Sequence, residues 1–113
     1  MRFLRRRPKP QQYAQRWKEL QGYCASRKTW PTAILEADKL LDDALKARHY
    51  KGKTPGERLV AAQHDLTDNE AVWFSHKLCN RIPNEDVRKL KKQQIIKALA
   101  GTRQALKDLG MLE

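Results

Sequence analysis

Only two cysteines, Cys24 and Cys79, occur in 113 residues, and they form no CxxC pair. That excludes a disulfide framework and a zinc ribbon, and points to two reduced thiols on helices. No apolar run approaches the roughly 18 residues that cross a bilayer, and the first residues lack the apolar core of a signal peptide. No integral membrane segment is therefore expected, and the expected location is the cytoplasm. With 5 glycines and 5 prolines the chain has too few turn formers for a many-stranded sandwich. Also missing are the phosphate loop GxxxxGK[ST], a GxGxxG following a strand, and HExxH, which removes the common nucleotide-binding and metalloprotease chemistries.

Acids are scarce as well. Thirteen Asp and Glu stand against 24 Lys and Arg, for a formal charge of +11. On so small a body this produces a positive potential suited to nucleic acid or another polyanion, although it also describes a protein that merely stays soluble by self-repulsion. The charge is uneven. Residues 1–10, MRFLRRRPKP, hold five basic side chains and no acid. Pro8 and Pro10 keep them out of a helix interior, so they read as a basic arm in which Arg5, Arg6 and Arg7 could lie along phosphates. Residues 11–113 read as a single domain.

Hydrophobic spacing in that domain follows the helical period. Tyr13, Trp17, Leu20 and Cys24 predict a helix from Gln11 to about Lys28. A second, from about Trp30 to His49, carries the stripe Ala33, Ile34, Ala37, Leu40, Leu41, Ala44 and Leu45, with Pro31 tolerated in its first turn. Glu36, Asp38, Asp42 and Asp43 fall toward its start and Lys46, Arg48 and His49 at its end, matching the helix dipole. A short helix then opens at Thr54-Pro55 with Glu57 completing a capping box, and carries Leu59, Val60 and Ala62. A second such box, Thr67 to Glu70, opens a helix over Asp68 to Arg81 that Pro83 must end. The last helix, capped by Asn84, carries Val87, Leu90, Ile95, Ala98, Leu99, Leu106 and Leu109 and stops at Gly110. Gly101 inside it costs about 1 kcal/mol relative to Ala, which suggests a neighbouring backbone close by. Arg88, Lys89, Lys91 and Lys92, with Lys97, Arg103 and Lys107, lie off its apolar stripe and predict one basic face. The fold class is all-α, a compact bundle of four main helices plus one short one.

Candidate chemistry is thin. His76 and Cys79, one helical turn apart, could both reach a metal completed by His49 or His64. A structural zinc needs two clear ligand pairs, however, and a buried His beside an aromatic on a packed helix more often hydrogen-bonds a carbonyl, so no metal or other cofactor is expected. Cys79 with His76 as base would lack any glycine-rich or oxyanion-binding context.

The stretch Trp73–Glu85, WFSHKLCNRIPNE, resembles the signature segment of HEPN domains, helical bundles that include RNA-cleaving toxins and RNA-associated modules. The preceding WPTAILEADKLLDDALKARHYKGKTPGERL is similar to a pattern of uncharacterised bacterial relatives of that fold. The resemblance covers roughly residues 17–109 and leaves the arm unmatched. It implies an HEPN-like bundle. The motif is an Arg followed by a polar residue and, about five positions on, a His, the pair working across a dimer. Here the Arg position holds Cys79, the polar residue is kept as Asn80, and the His position holds Asn84. A thiol and an amide cannot replace a phosphate-binding guanidinium and a proton-transferring imidazole.

The expectation is thus a non-enzymatic, HEPN-like module that binds RNA or another polyanion through the arm, Arg81 and the last helix, forming a homodimer. His76, Cys79, Asn80 and Asn84 would be the remains of the motif, turning the chain or adding a contact patch. The alternatives are a protein-interaction or dimerisation module with no nucleic-acid role, marked by tryptophans at a surface, and a residual ribonuclease that uses His76 and Arg81.

Overall fold

The computed structural model describes residues 10–84 and 86–113; the arm arginines Arg5, Arg6 and Arg7 lie outside them. Among the described residues there are five α-helices and no strand: α1 (Pro10–Gln21), α2 (Trp30–Ala47), α3 (Pro55–Ala62), α4 (Asn69–Arg81) and α5 (Lys92–Asp108). The all-α bundle of four main helices and one short one is as the periodicity predicts. Helix α1 runs antiparallel to α2, and α4 to α5, whereas α2 and α5 pack side by side and end together: Arg16 of α1 reaches Asp43 of α2, Gly101 of α5 lies against Ala71 of α4, and Arg48 after α2 reaches Leu109 after α5.

The helix faces expected to be apolar form the core. Tyr13, Trp17 and Leu20 of α1 meet Leu40, Leu41 and Leu45 of α2 and Leu106, Leu109 and Met111 around the end of α5. Of the predicted stripes, Val60 departs, standing 51% exposed on α3. A second, smaller cluster joins Trp30 and Ile34 of α2 to Leu78 and Cys79 of α4 and to Leu90, Ile95 and Ala98, with Ile82 and Val87 packed on it. The two clusters occupy opposite ends of the bundle.

At the end of the larger cluster, α2 and α5 finish in the same way. The Met111 N–H bonds the Leu106 carbonyl at 2.8 Å and the Gly110 N–H bonds that of Lys107 at 3.0 Å, with Gly110 at φ 76°. This is the six-to-one and five-to-two pattern of a Schellman cap, and buried Leu106 and Met111 supply its apolar contact. After α2, Tyr50 bonds Leu45 and His49 bonds Lys46 in the same pattern, but the left-handed position is His49 at φ 67°. Helix α2 thus ends two residues before the predicted His49, because His49 itself makes the reversal. The Arg48 Nε donates to the Leu109 carbonyl at 2.8 Å, tying the two caps together.

The opposite end is built of short 3-10 turns. The first helix does not run to Lys28. After Gln21 come turns at Gly22–Ala25 and Arg27–Thr29, separated by Ser26 in an extended conformation, and the Ser26 side chain accepts from the Lys28 N–H. Trp30 Nε1 donates to the Cys24 carbonyl at 3.0 Å, which draws the chain across the end of the core and gives a backbone group a partner that a continuing helix would not need. Helix α5 also starts later than Asn84. Asn84 closes a turn at Ile82–Asn84, Asp86 caps a further turn at Val87–Lys89, and the helix opens only after Lys91, whose N–H is accepted by Gln94 Oε1. Val87 packs on the Trp30–Leu78 cluster from a 3-10 turn and Leu90 is buried in it from the extended residue after that turn, so their apolar spacing mimicked an α-helix that begins only at Lys92.

Candidate basic interface

Two groups of polar residues compete for attention: the remains of the motif on α4, and the basic residues at the turn-built end. On α4 the N-cap is Asp68, whose carboxylate accepts from the Ala71 N–H at 3.1 Å. Thr67, predicted as the cap, instead gives its N–H to Asp108 at 2.8 Å and so joins the start of α4 to the end of α5. The capped helix turns Ser75, His76 and Cys79 inward. His76 Nδ1 lies 3.1 Å from Asp38 Oδ1 of α2, and Asn80 Nδ2 is 3.4 Å from His76 Nε2. A carboxylate rather than the expected carbonyl thus orients His76. The hydrogen bond from Asp38 holds the His76 pKa above its ordinary 6.5 against the opposing effect of burial, with the Asp38 and Asp42 charges adding to the rise.

Cys79 is 8% exposed, and burial together with the charge and hydrogen bond of Asp38 pushes its thiol up to about 12. A thiol so poised is inert as a nucleophile near neutral pH. Asn80 reaches His76, while Asn84 stands exposed in the turn after α4. No group of three metal-ligating side chains occurs among the described residues.

The acids of α2 do not serve its dipole, since none lies in its first turn. They work across helices. Asp42 receives Arg58 Nε and NH2 at 2.7 and 2.9 Å, while Arg58 NH1 donates to the Gly52 carbonyl at 2.8 Å. Burial raises the Asp42 pKa, but the hydrogen bond and charge of Arg58, with Lys46, outweigh it and hold the group below the usual range. Asp43 takes Arg16, and Asp38 takes His76. The motif side of α4 is thereby a set of satisfied structural contacts joining α2 to α3 and α4.

The basic residues are arranged differently. Arg81 ends α4 next to Ile82; Arg88 and Lys89 lie in the turn beside Val87 and Leu90; Lys91 and Lys92 lead into α5. All but Lys92 adjoin a member of the Trp30–Leu78–Leu90 cluster, and Lys92 follows within two residues, so the packing of that cluster gathers them at one end of the bundle. Arg88, Lys89 and Lys91 lie ahead of α5, not along it as predicted, and Lys92 is its first residue. The turn Arg27–Thr29 packs on the turn Val87–Lys89. Arg27 donates to the Leu90 carbonyl and covers the Trp30 ring at 4.5 Å, which fixes Arg27 and places Lys28 at the same end. Spacing along the chain could not show this pair, 60 residues upstream of the basic run. Its one visible signal was the gap of acids between Glu19 and Glu36.

Opposing this positive end is Asp86, which caps its turn and takes the Arg88 fork, NH2 to Oδ2 at 2.8 Å. That pair is exposed and screened by solvent, so a stronger anion can displace it. Trp17 and Trp30 are 7% and 9% exposed and belong to the core, leaving no tryptophan pair to mark a docking surface. No helix is long and apolar enough to cross a membrane among the described residues.

No protein-family model, curated protein or solved structure matches the chain. The class that the fold defines is therefore a small, basic, all-α bundle, and what it does has to be argued from the site.

Proposed function

We propose that this protein is a non-catalytic, HEPN-like helical module that binds RNA through the basic end formed by Arg27, Lys28, Arg81, Arg88, Lys89, Lys91 and Lys92. The observation carrying this reading is the packing of the Arg27–Thr29 turn on the Val87–Lys89 turn, which joins two basic segments far apart in sequence. Charges so grouped, on exposed turns and backed by a rigid apolar cluster, suit phosphate contacts that position a polyanion without reading its sequence. Arg5, Arg6 and Arg7 of the arm would add to them. The chemistry at the two motif positions supports the non-catalytic part: Cys79, a buried, high-pKa thiol, offers a phosphate no positive charge, and Asn84 cannot transfer a proton.

The test is a titration of RNA at rising salt. Binding that weakens linearly on a log–log plot, and that weakens uniformly across unrelated sequences, supports the reading. Binding absent at low salt, or flat with salt, overturns it. RNA cleavage abolished by His76→Ala or by Arg81→Ala would overturn the non-enzymatic part.

A further inference from the structure

The cations on the long helices divide into two kinds. Arg16, Lys39 and Lys46 each lie within 4.0 Å of a carboxylate, as does Arg58 on short α3. Lys97, predicted as part of the α5 basic face, belongs with them: it reaches Glu70 at 3.2 Å and covers the Phe74 ring at 4.6 Å, turning toward α4. The outer side of α5 is different. At about 100° per residue, Lys92, Ile96, Ala100, Arg103 and Lys107 fall on a strip roughly 80° wide. All five are exposed, and Ile96 is 57% so. The strip holds three cations and no acid. The one carboxylate of α5, Asp108, is turned aside to Thr67 and Gln104.

This strip begins at Lys92, which is also a member of the basic end, and continues for 15 residues to Lys107, a rise of about 22 Å. From the same geometry we infer that α5 is a track, along which a single nucleic-acid strand held at the basic end extends past Arg103 to Lys107. The inference rests on the RNA-binding reading above and adds the direction and length of the bound strand. Arg103 and Lys107, one helical turn apart, can share a single phosphate or lipid headgroup, but Lys92, about 16 Å of helix before Arg103, is out of its reach; a strand of linked phosphates engages all three.

The experiment is anisotropy titration of labelled oligouridylates of about 3 and about 12 nucleotides, between roughly 50 and 200 mM salt. Three proteins are compared: the full chain, the Arg103→Gln/Lys107→Gln variant, and a Lys51→Gln/Lys53→Gln control that removes the same charge from the loop before α3. All are exposed positions, and thermal melting confirms that each variant is folded. For the long oligonucleotide the Arg103→Gln/Lys107→Gln variant should bind about tenfold more weakly or worse. Its log–log salt slope should be smaller by about 1.4, two contacts at about 0.7 each. Its affinity for the short one should match that of the unaltered chain. Equal loss in the control would mean that net charge alone matters and would overturn the track, as would unchanged binding of the long oligonucleotide. Both results leave the basic end as the RNA site. No salt-dependent binding to either oligonucleotide overturns the RNA reading itself, and binding to phosphatidylserine vesicles in its place assigns the strip to a membrane surface.

Discussion

The two ends of the bundle are built on opposite principles. At one, α2 and α5 finish in paired Schellman caps, with every reversal closed by its own backbone hydrogen bonds and Arg48 spanning both. At the other, the chain crosses the core in 3-10 turns held by side chains: Arg27 on the Leu90 carbonyl, Trp30 on that of Cys24, Asp86 on the Arg88 N–H. The capped end seals the larger cluster and engages Arg48 and Asp108 internally. The turn-built end seals a smaller cluster and spreads its cations outward. Stability is concentrated at the first, while binding is proposed for the second. The contrast teaches that positive charge is informative only where the acids are absent or already engaged.

The sharpest way to probe that contrast is to cut into each cluster. Leu106 is fully buried in the larger one, and Leu106→Ala should cost about 3 to 5 kcal/mol in a denaturant titration. Leu90, 2% exposed in the smaller cluster, should cost less on truncation, about 2 to 3 kcal/mol, because the linker around it can settle. Leu90→Ala should also weaken RNA binding, because the segment whose backbone carbonyl holds Arg27 loses its packing on Trp30 and Leu78, whereas Leu106→Ala should leave binding by the folded fraction unchanged. Equal binding losses in both would remove the functional side of the contrast.

Gly101 offers a probe between the ends. A Cβ there would stand 2.7 Å from the Ala71 Cβ and 2.8 Å from the Ala71 carbonyl carbon and oxygen. Gly101→Ala should therefore destabilise by about 1 to 3 kcal/mol despite a helix-propensity gain of about 1 kcal/mol, since backbone cannot retreat as a flexible side chain can. A neutral or stabilised variant would show that α4 and α5 separate easily.

The pH dependence separates the buried polar contacts from the surface ones. The His76 pKa is raised in the folded protein by Asp38. Its contribution is therefore fully present below the unfolded value of about 6.5 and is lost as pH rises through the higher folded value. The stability difference between the protein and His76→Gln should shrink across that window. Asp42 acts in the opposite sense, its depressed pKa giving a contribution that is lost as pH falls through the folded value. A difference for His76→Gln that grows with rising pH would contradict the Asp38 contact.

The smallest effect concerns the capped end. His49 holds a left-handed conformation that glycine adopts freely, as Gly110 does at the matching cap. His49→Gly should stabilise by about 0.5 to 1 kcal/mol, read as a rise in melting temperature, without touching RNA affinity.

Much of this architecture was legible in the chain because it is set locally. Apolar spacing places the faces of α1, α2 and α4, Thr54 and Pro55 open α3, and Gly110 ends α5, each through interactions within a turn or two of sequence. Gly101 was readable too, since a helix tolerates its cost only for a reason found outside the helix. The candidate site was legible in part. Arg81, Arg88, Lys89, Lys91 and Lys92 stand out by composition, but Arg27 and Lys28 join them only through packing, and Lys97 leaves them for Glu70.

What the sequence by itself determined, then, is helical class, helix faces, most stops and an excess of positive charge, all consequences of short-range sterics and composition. What only the tertiary structure decided is where charge is spent. Whether His76 meets a carbonyl or Asp38, whether Thr67 or Asp68 caps α4, and whether Val87 and Leu90 lie on a helix or in a linker each depend on partners dozens of residues away. A side chain's hydrogen-bond partner follows from proximity in the fold, and periodicity carries no record of it.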